Sequence, residues 1–480
     1  MIRTWKRNRI TGLLLLTALL AGCTKASDVT SAEPAAGTAT ETLAGETGGK
    51  ETEQVRTAEI QITEIPTEEA GTDSEAGIEA ILWEPWEAVP LPSAYQRRMD
   101  MGVPEVKDQG SLGTCWAFAS LMALKSSVLP AAVPDFSEDH MSNNENFILT
   151  QYQGGEYTMA LAYLLSWQGP VLAEEDPYGD FYSPAGLQAA MHLQGVYFLP
   201  EKDYDAIKQA VYQVGGVQSS LYTQLRNAHS QSYYYNQETG AYCYNGGEES
   251  NHEVVIVGWD DHYPKGNFSV DVPGDGAFLC ANSWGSEFAE DGFFYVSYYD
   301  TTIGIHNVVY TQIEEAGNYD YIYQSDLCGW IGSLGYAEET AWAANVYCAV
   351  EAEILKSVGF YALGEDTRYE IYVVPAVSAE PDFSERQLAA KGKVSYSGYY
   401  TIPLDSEVLL AAGTRFAVII RLTTPGSVHP IAIEYDANDD KSRINLEDGE
   451  GYISIDGVTW ENTEEHQQCN VCLKAYTDRR

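Results

Sequence analysis

The chain has 480 residues, of which 45% are hydrophobic and 20% are charged, as is typical of a globular protein with two or three domains. Its formal net charge of -43 argues against a nucleic-acid partner, because a phosphate backbone requires a basic binding surface. Part of the acidic excess lies in one segment near the N-terminus, so the net charge says little about the folded domains.

The N-terminus predicts export. A basic start, MIRTWKRNR, precedes an apolar run that is too short for a transmembrane helix. The run ends in Leu20-Ala21-Gly22-Cys23, which resembles the lipobox of a bacterial lipoprotein. That resemblance implies a signal peptide over residues 1–22 and lipidation of Cys23. The alternative is an ordinary secretory signal, and both alternatives predict a protein outside the cytoplasm, on the membrane surface or secreted.

Residues 23–80 form a segment of different composition. They are rich in Thr, Glu, Ala and Gly, and acids outnumber bases several-fold. Such a segment cannot bury enough apolar surface to fold, so we interpret it as a disordered acidic tether. A propeptide is the alternative, but the stretch lacks the periodicity of long amphipathic helices.

Order is expected to begin near Ile81, and residues 81–315 mix helical and strand patterns. Apolar residues at helical spacing predict helices over residues 115–124 and 157–167, and short apolar runs predict strands over 254–257 and 293–298. After residue 318 the chain changes to short β-branched and aromatic runs separated by turn residues, at 368–374, 415–422, 430–435 and 451–455. The sequence therefore predicts an α+β domain followed by an all-β sandwich over residues 316–480.

Cys115 is the candidate nucleophile. It follows a glycine-bearing loop and opens a predicted helix, where the helix dipole lowers the pKa of a thiol. A histidine is then needed to stabilise the thiolate and to protonate the leaving amine. His252 precedes a buried strand, and Asn282 lies 30 residues further on, where it can orient the imidazole. The order Cys, His, Asn is that of papain-like proteases.

Three blocks carry a resemblance to the papain-like cysteine peptidase family: KDQGSLGTCWAFAS, NHEVVIVGWDD and ANSWGSEFAEDGFFYVSYYD. The resemblance spans roughly residues 91–312 and implies a two-lobed peptidase domain. It implies that Cys115 is the nucleophile, His252 the general base and acid, and Asn282 the residue that orients His252. Gln109 would complete the oxyanion hole, and Trp284 would shield the His–Asn hydrogen bond from water.

The substrate-binding residues are expected on both sides of the nucleophile. Gly154 and Gly155 resemble the glycine pair whose backbone binds the substrate main chain. Glu253 stands where small residues are common in the family, bordering the pocket for the second substrate residue before the scissile bond. It is expected to favour Arg or Lys there, unless its carboxylate faces solvent or pairs with a neighbour. The family usually has a cysteine at the position of Leu112, where it forms a disulfide with a distant cysteine. That disulfide cannot form in this chain.

The remaining cysteines do not suggest a metal site. Eight cysteines are present, and six remain after Cys23 and Cys115, enough for three bridges. Cys469 and Cys472 have CxxC spacing. The sequence offers neither a second CxxC pair nor a histidine at the spacing typical of zinc ligands. We interpret them as buried thiols. An acidic stretch over residues 436–440 fits no EF-hand and is interpreted as a solvated turn. No metal or other cofactor is expected.

The C-terminal third resembles the lectin-like domain that accompanies papain-like peptidases in exported proteins of anaerobic bacteria. The segments VYCAVEAEILKSVGFYAL, GTRFAVIIRL and DGVTW carry the resemblance. It allows a carbohydrate or cell-surface ligand, or packing against the peptidase.

The predicted function is that of an exported, lipid-anchored cysteine endopeptidase with protein or peptide substrates. One alternative is a surface adhesin or carbohydrate-binding protein whose peptidase-like domain is inert. The other is a cell-wall amidase or transpeptidase, whose folds lack the NSWG block and the glutamine six residues before the cysteine.

Overall fold

The structure is a computed structural model that describes residues 81–82, 86–97, 106–128, 134–143, 146–378, 380–437 and 442–480. The predicted signal peptide, the lipidation site Cys23 and the acidic tether lie outside the described residues. Most of the acidic stretch at 436–440 also lies outside them. No helix of the described segments has the length and apolar character needed to cross a bilayer.

The N-terminal part of the chain mixes helices and strands, as predicted. Its helices are α1 (Cys115–Val128), α2 (Glu138–Asn143), α3 (Tyr157–Leu165) and α4 (Tyr204–Gln213), with one 3-10 turn at Lys265–Asn267. Its strands are β1 (Ile81–Leu82), β2 (Ala94–Gln96), β3 (Met191–Leu199), β4 (Val217–Leu221), β5 (Tyr235–Asn236), β6 (Ala241–Tyr242), β7 (His252–Asp260), β8 (Ala277–Ala281), β9 (Phe293–Ser297) and β10 (Asn307–Glu315).

Helix α1 lies at the centre of the peptidase-like part. All of its residues except Lys125 are buried, and it packs against α2, α3, β7 and β10. A helix that is apolar on every side is stable only inside a core. Because α1 is surrounded by protein, it needs no polar face. Strand β7 is buried over eight of its nine residues and pairs with β4 on one side and β8 on the other. The helix that begins at Cys115 therefore packs against the strand that begins at His252.

The C-terminal part is almost entirely β-structure. Its strands are β11 (Tyr321–Tyr323), β12 (Gly332–Leu334), β13 (Thr340–Cys348), β14 (Glu353–Ala362), β15 (Arg368–Val374), β16 (Gln387–Lys393), β17 (Ser397–Leu410), β18 (Arg415–Thr423), β19 (Ile431–Tyr435), β20 (Gly451–Ser454), β21 (Glu461–Asn462), β22 (Cys469–Val471) and β23 (Leu473–Arg479). One short helix, α5 (Thr463–Gln467), joins β21 to β22.

Two layers of these strands pack face to face. One layer has the order β16-β15-β18-β13-β20-β21, and the other contains β11-β23-β14-β17. Val358 and Phe360 of β14 share a buried cluster with Ile371 of β15 and Val418 of β18. The predicted β-sandwich is therefore confirmed, and each predicted strand of this part coincides with an observed one within about a residue at either end.

The two parts of the chain share a sheet. Strand β17 pairs antiparallel with β3, so the second layer of the sandwich continues into β3, β10, β4, β7, β8 and β9 of the peptidase-like part. Gly398 makes this pairing possible, because a Cβ atom there would lie 2.0 Å from the carbonyl oxygen of Val196. Continuous backbone hydrogen bonding between the two parts favours a fixed relative orientation.

Candidate active site

Cys115 is the first residue of α1 and has only 5% of its surface exposed. The carbonyl of Thr114 accepts hydrogen bonds from the N–H groups of Ala117, at 3.0 Å, and Phe118, at 3.2 Å. These bonds start the helix at the nucleophile, where the unpaired N–H groups of the first turn favour a negative charge. The N–H of Gly113 donates to the backbone carbonyl of Gln151 at 2.7 Å. A Cβ atom at Gly113 would lie 2.8 Å from the backbone of Gly154, so only glycine fits there.

His252 and Asn282 form a buried hydrogen bond. His252 Nε2 lies 2.7 Å from Asn282 Oδ1, and Oδ1 also accepts the N–H of Ser283 at 2.8 Å. Because Asn282 presents an acceptor, the network assigns the ring proton to Nε2, which donates. The other ring nitrogen, Nδ1, is then the basic one. The strand pairing brings the two residues together, since β8 ends at Ala281 and pairs with β7.

Trp284 covers the histidine. Its ring stacks on that of His252 with centroids 4.8 Å apart and planes 26° apart, and Phe288 packs edge-on against Trp284 at 4.9 Å. Burial lowers the pKa of His252 to about 4, while the hydrogen bond with Asn282 acts in the opposite direction. The imidazole is therefore uncharged at neutral pH, and its Nδ1 is unprotonated. A thiolate beside it would stabilise the imidazolium form.

Gln109 is held from three directions. Its N–H donates to the carbonyl of Ser283 at 2.8 Å, and its side-chain Oε1 accepts from Ser283 Oγ at 2.5 Å. Its Nε2 donates to the carbonyl of Leu112 at 2.7 Å. An amide nitrogen has two protons, and Leu112 accepts one of them. These contacts link the loop before Cys115 to the segment that carries Asn282.

The glycine pair lies against the residue after the nucleophile. Gly154 has φ of +84°, and a Cβ atom at Gly155 would lie 2.5 Å from Trp116 Nε1. Only glycine brings the backbone this close to Trp116 without displacing it. Both glycines precede α3, in the position that the sequence analysis assigned to the main chain of a substrate.

Glu253 is buried and accepts hydrogen bonds from two neutral groups. Its side chain is 7% exposed and accepts Ser220 Oγ at 2.7 Å and Gln218 Nε2 at 3.3 Å. Burial raises the pKa of Glu253 to about 7, and Glu156 adds to that increase. Successive residues of a strand face opposite sides, so Glu253 lies on the α1 side of the sheet while His252 lies on the Trp284 side.

The structure shows two links that the sequence analysis missed. Gln218 Oε1 accepts Ser120 Oγ of α1 at 3.0 Å, so the chain Ser120–Gln218–Glu253 connects the nucleophile helix to the histidine strand. The hydroxyl of Tyr178 lies 2.6 Å from Thr114 Oγ1 and donates to the carbonyl of Gln109 at 3.0 Å. Neither link has a local sequence signature, because its members lie far apart in the chain.

The comparisons with known proteins agree with this geometry. Residues 91–313 match the model of the papain family cysteine protease, and residues 322–477 match the model of the lectin like domain. Residues 91–313 belong to the papain family of cysteine proteases.

Two similar structures extend over both domains. The Clostridial cysteine protease Cwp84 after propeptide cleavage is 29% identical, with a TM-score of 0.71, and covers 81% of this chain and 100% of its own. The cysteine protease and lectin-like domains of Cwp84, a surface layer associated protein of Clostridium difficile, are 28% identical with a TM-score of 0.70, covering 84% and 91%. The expected papain-like domain with a lectin-like domain after it is thereby confirmed.

Curated relatives match the papain-family domain alone. Cathepsin K of Gallus gallus is 29% identical over 215 residues, which are 42% of this chain and 58% of that protein. The viral cathepsin of Cydia pomonella granulosis virus is 28% identical over 225 residues, 45% of this chain and 61% of that protein. The chain therefore spans less than two thirds of the length of these relatives.

The thiols of Cys469 and Cys472 form no disulfide, as the sequence analysis expected. Burial raises the pKa of Cys469 to about 12, so this thiol is protonated and a poor nucleophile. The thiol of Cys472 donates to the carbonyl of Gly329 at 3.4 Å. Cys469 is part of the sandwich core, whereas Cys472 belongs to the hydrophobic cluster around α1.

Glu253→Gln is expected to remove a pH dependence of stability. The pKa of Glu253 rises from 4.5 to about 7 on folding, so the folded state binds the proton more tightly. The free energy of unfolding of the wild type should therefore fall as pH rises through this window, by at most about 3 kcal/mol. Glutamine does not titrate, so the stability of the variant relative to the wild type should rise with pH.

Urea unfolding at several pH values measures this difference. The exposed Glu249→Gln is the matched control and should follow the wild type. An amide beside Gln218 can lower the free energy of unfolding of the variant, but it does so equally at every pH. The slope of stability against pH is therefore unaffected by this cost. Parallel profiles for wild type and Glu253→Gln would contradict the assignment of a raised pKa.

Proposed function

We propose that the protein is an exported cysteine endopeptidase, anchored by a lipid at Cys23, that hydrolyses peptide bonds through an acyl-enzyme on Cys115. The observation that carries this proposal is the His252–Asn282 hydrogen bond at 2.7 Å, buried under Trp284, beside a helix that begins at Cys115. This arrangement supplies a nucleophile, a base of fixed tautomer and a dry environment.

In the first half of the reaction, His252 Nδ1 takes the proton of the Cys115 thiol. The thiolate sulfur then bonds to the carbonyl carbon of the substrate, and the carbonyl oxygen becomes an oxyanion. The second Nε2 proton of Gln109 and the N–H of Cys115 would donate to that oxyanion. When the C–N bond breaks, the imidazolium of His252 gives its proton to the leaving amine, and the thioester acyl-enzyme remains.

In the second half, water replaces the amine. His252 accepts a proton from water, whose oxygen bonds to the thioester carbon. The oxyanion forms again at the same donors, and collapse breaks the C–S bond. The products are the carboxylic acid and the regenerated Cys115–His252 pair. Asn282 holds His252 in one orientation throughout, so no step requires a reoriented ring.

This proposal assigns a role to each segment of the chain. Residues 1–22 would direct export, residues 23–80 would form the tether, residues 81–315 would carry out hydrolysis, and residues 316–480 would bind a cell-surface ligand or the substrate. The surface-layer association of Cwp84 supports a location outside the cytoplasm.

Cys115→Ala is expected to abolish cleavage of an unfolded protein under reducing conditions. Wild type should cleave, and an epoxide inhibitor of papain-like enzymes should stop cleavage by forming one covalent adduct on Cys115. The matched control is Cys348→Ala, which removes the partly exposed thiol of β13 in the lectin-like domain and should retain both cleavage and labelling. Gel-based cleavage and intact mass measure the two outcomes.

Other outcomes favour the alternatives. A folded wild type that neither cleaves nor forms an adduct would contradict the proposal and favour an adhesin or carbohydrate-binding protein. Cleavage of peptidoglycan without cleavage of unfolded protein would favour a cell-wall amidase or transpeptidase.

We further propose that Glu253 favours a basic residue at the second position before the scissile bond. Its carboxylate has only neutral hydrogen-bond partners in Ser220 and Gln218, so a substrate cation would find an uncompensated negative charge once Glu253 ionises. The ratio of kcat/KM for substrates with Arg and with Leu at this position should fall by about tenfold or more in Glu253→Gln. An unchanged ratio would show that Glu253 does not border this pocket.

A further inference from the structure

The outer face of the lectin-like sandwich carries a group of basic residues in a strongly acidic chain. The chain has 27 Lys and Arg residues against 70 Asp and Glu residues. Five of the 27 lie on β15, β16 and β18 or just before β16, in the six-stranded layer, and we call them the basic face: Arg368, Arg386, Lys391, Lys393 and Arg421. Such a concentration of one charge attracts ligands of the opposite charge.

The strand register puts these side chains on one side of the layer. Arg421 of β18 is opposite Glu370 of β15, and Glu370 is opposite Lys391 of β16. Arg368 is opposite Lys393, two positions along the same pair of strands. Directly opposite residues share a face of a sheet, and so do residues i and i+2 of one strand. The alternate residues of β15 and β18 belong to the core between the two layers, so the basic face points away from it.

Acidic neighbours neutralise only part of the basic face. Glu370 pairs with Arg421 at 2.8 Å, and Asp366 pairs with Lys393 at 2.7 Å. The ion pairs found in the described segments include none with the other three members. Like charges directly opposite each other destabilise a sheet, and Arg368 and Lys393 are such a pair. A bound anion would relieve this repulsion.

Trp342 of β13 positions two guanidinium groups on this face. The guanidinium of Arg386 lies 4.8 Å from the centroid of the Trp342 ring and 5.6 Å from that of Tyr372. The guanidinium of Arg421 lies 5.6 Å from the Trp342 centroid. Arg386 donates to the carbonyl of Phe383 at 3.1 Å, and a guanidinium has five N–H donors, so most of them are available to a ligand. Contact with the rings restricts the guanidinium groups before a ligand arrives, which lowers the entropy lost on binding.

We propose that the basic face binds an anionic polysaccharide, whose acidic groups contact Arg368, Arg386 and Lys391. Guanidinium groups match the geometry of carboxylate and phosphate oxygens. The face extends over four neighbouring strands, about 14 Å at about 4.8 Å per strand, which suits a polymer with repeated acidic groups rather than one small anion. Thr340 and Thr423, whose hydroxyl oxygens are 2.8 Å apart in the row that contains Arg368, can hydrogen-bond to sugar hydroxyls.

The charge of the whole protein favours a single polymer chain over a membrane surface. A bilayer would meet the entire acidic protein, with its net charge of -43, whereas a polymer chain meets only the charges within about 10 Å of it. An acidic peptide would match the charges but would lack the hydroxyl groups of a sugar. The choice of a polysaccharide rests on the proposed function, which places the domain outside the cytoplasm. The negative charge of the ligand does not rest on it.

Polygalacturonate, a carboxylate-bearing polysaccharide, tests the basic face through the fluorescence anisotropy of its labelled chains. The reference protein is the full chain with Cys23→Ala, so that no lipid contributes to binding. On this background, Arg368→Gln/Lys391→Gln removes two exposed charges of the basic face. The matched control, Arg226→Gln/Lys265→Gln, removes one exposed arginine and one exposed lysine of the papain-family domain. Neutral dextran, poly-glutamate and phosphatidylglycerol vesicles are the comparison ligands, and thermal unfolding verifies that each variant is folded.

The control should bind polygalacturonate as the reference protein does, and the basic-face variant should bind it at least about tenfold more weakly. Added salt should weaken binding less steeply in the basic-face variant, because fewer charges take part. Dextran should not bind, and poly-glutamate and the vesicles should bind less tightly than polygalacturonate.

Equal affinities of the two double variants, or no binding of polygalacturonate at low ionic strength, would overturn the proposal. Tighter binding of poly-glutamate or of the vesicles would contradict a polysaccharide and identify an acidic peptide or a membrane as the ligand instead. Binding of polygalacturonate by a protein without peptidase activity would leave the basic face standing and contradict the proposed function. Peptidase activity without such binding would do the reverse.

Discussion

The hydrogen bond between His252 and Asn282 is the interaction on which the rest of the active site depends. It joins the first residue of β7 to the residue just after β8, two strands that are neighbours in the sheet. Its burial under Trp284 has two effects. It keeps water away from the bond, and it lowers the pKa of His252, so the imidazole is uncharged and its Nδ1 is free of a proton. The fold therefore sets both the tautomer and the protonation state of His252.

The same segment also organises the opposite side of the site. Ser283 follows Asn282 and contacts Gln109 through both its carbonyl and its hydroxyl. A displacement of the end of β8 would therefore move Asn282 and Gln109 together. On the other face of β7, Glu253 and Gln218 connect the histidine strand to Ser120 of the nucleophile helix. The first network thus fixes the loop before α1 against the segment after β8, the second fixes α1 against β7, and together they favour a preorganised site.

The lectin-like domain is part of the same framework rather than a loosely linked module. Pairing of β17 with β3 extends one layer of the sandwich into the sheet that carries His252. A contact of backbone with backbone resists rotation more than a patch of side chains does, because each hydrogen bond has a fixed direction. A ligand held by the sandwich would therefore sit at a defined position relative to Cys115.

Local patterns in the sequence predicted much of this architecture. The helix at Cys115 and the strands of the sandwich were expected close to their observed bounds, because their apolar periodicity is a local property. The strand expected over 254–257 begins two residues earlier, at His252. His252 and Glu253 are polar yet buried, and a pattern of apolar residues fails where function places polar groups in a core.

Other features depend on contacts between distant residues. The shared sheet joins β3 to β17, which lie about two hundred positions apart in the chain. No local sequence pattern predicts such a pairing. The contacts of Tyr178 with Thr114 and Gln109 have the same origin. Family resemblance identified Cys115, His252, Asn282 and Gln109, but it could not show which neighbours hold them.

The measurement that tests the central claim most directly is the rate of alkylation of Cys115 by iodoacetamide as a function of pH, read by peptide mass spectrometry. Cys348 in the same molecule is the internal reference, and Asn282→Ala is the variant. In the wild type, Cys115 should react at about pH 6 at least about a hundredfold faster than Cys348, because a Cys115 thiolate and a His252 imidazolium stabilise each other once the thiol proton has moved to Nδ1. Asn282→Ala should lose most of that advantage. A Cys115 that reacts no faster than Cys348, with a midpoint near the free-thiol pKa of about 8.5, would contradict the account.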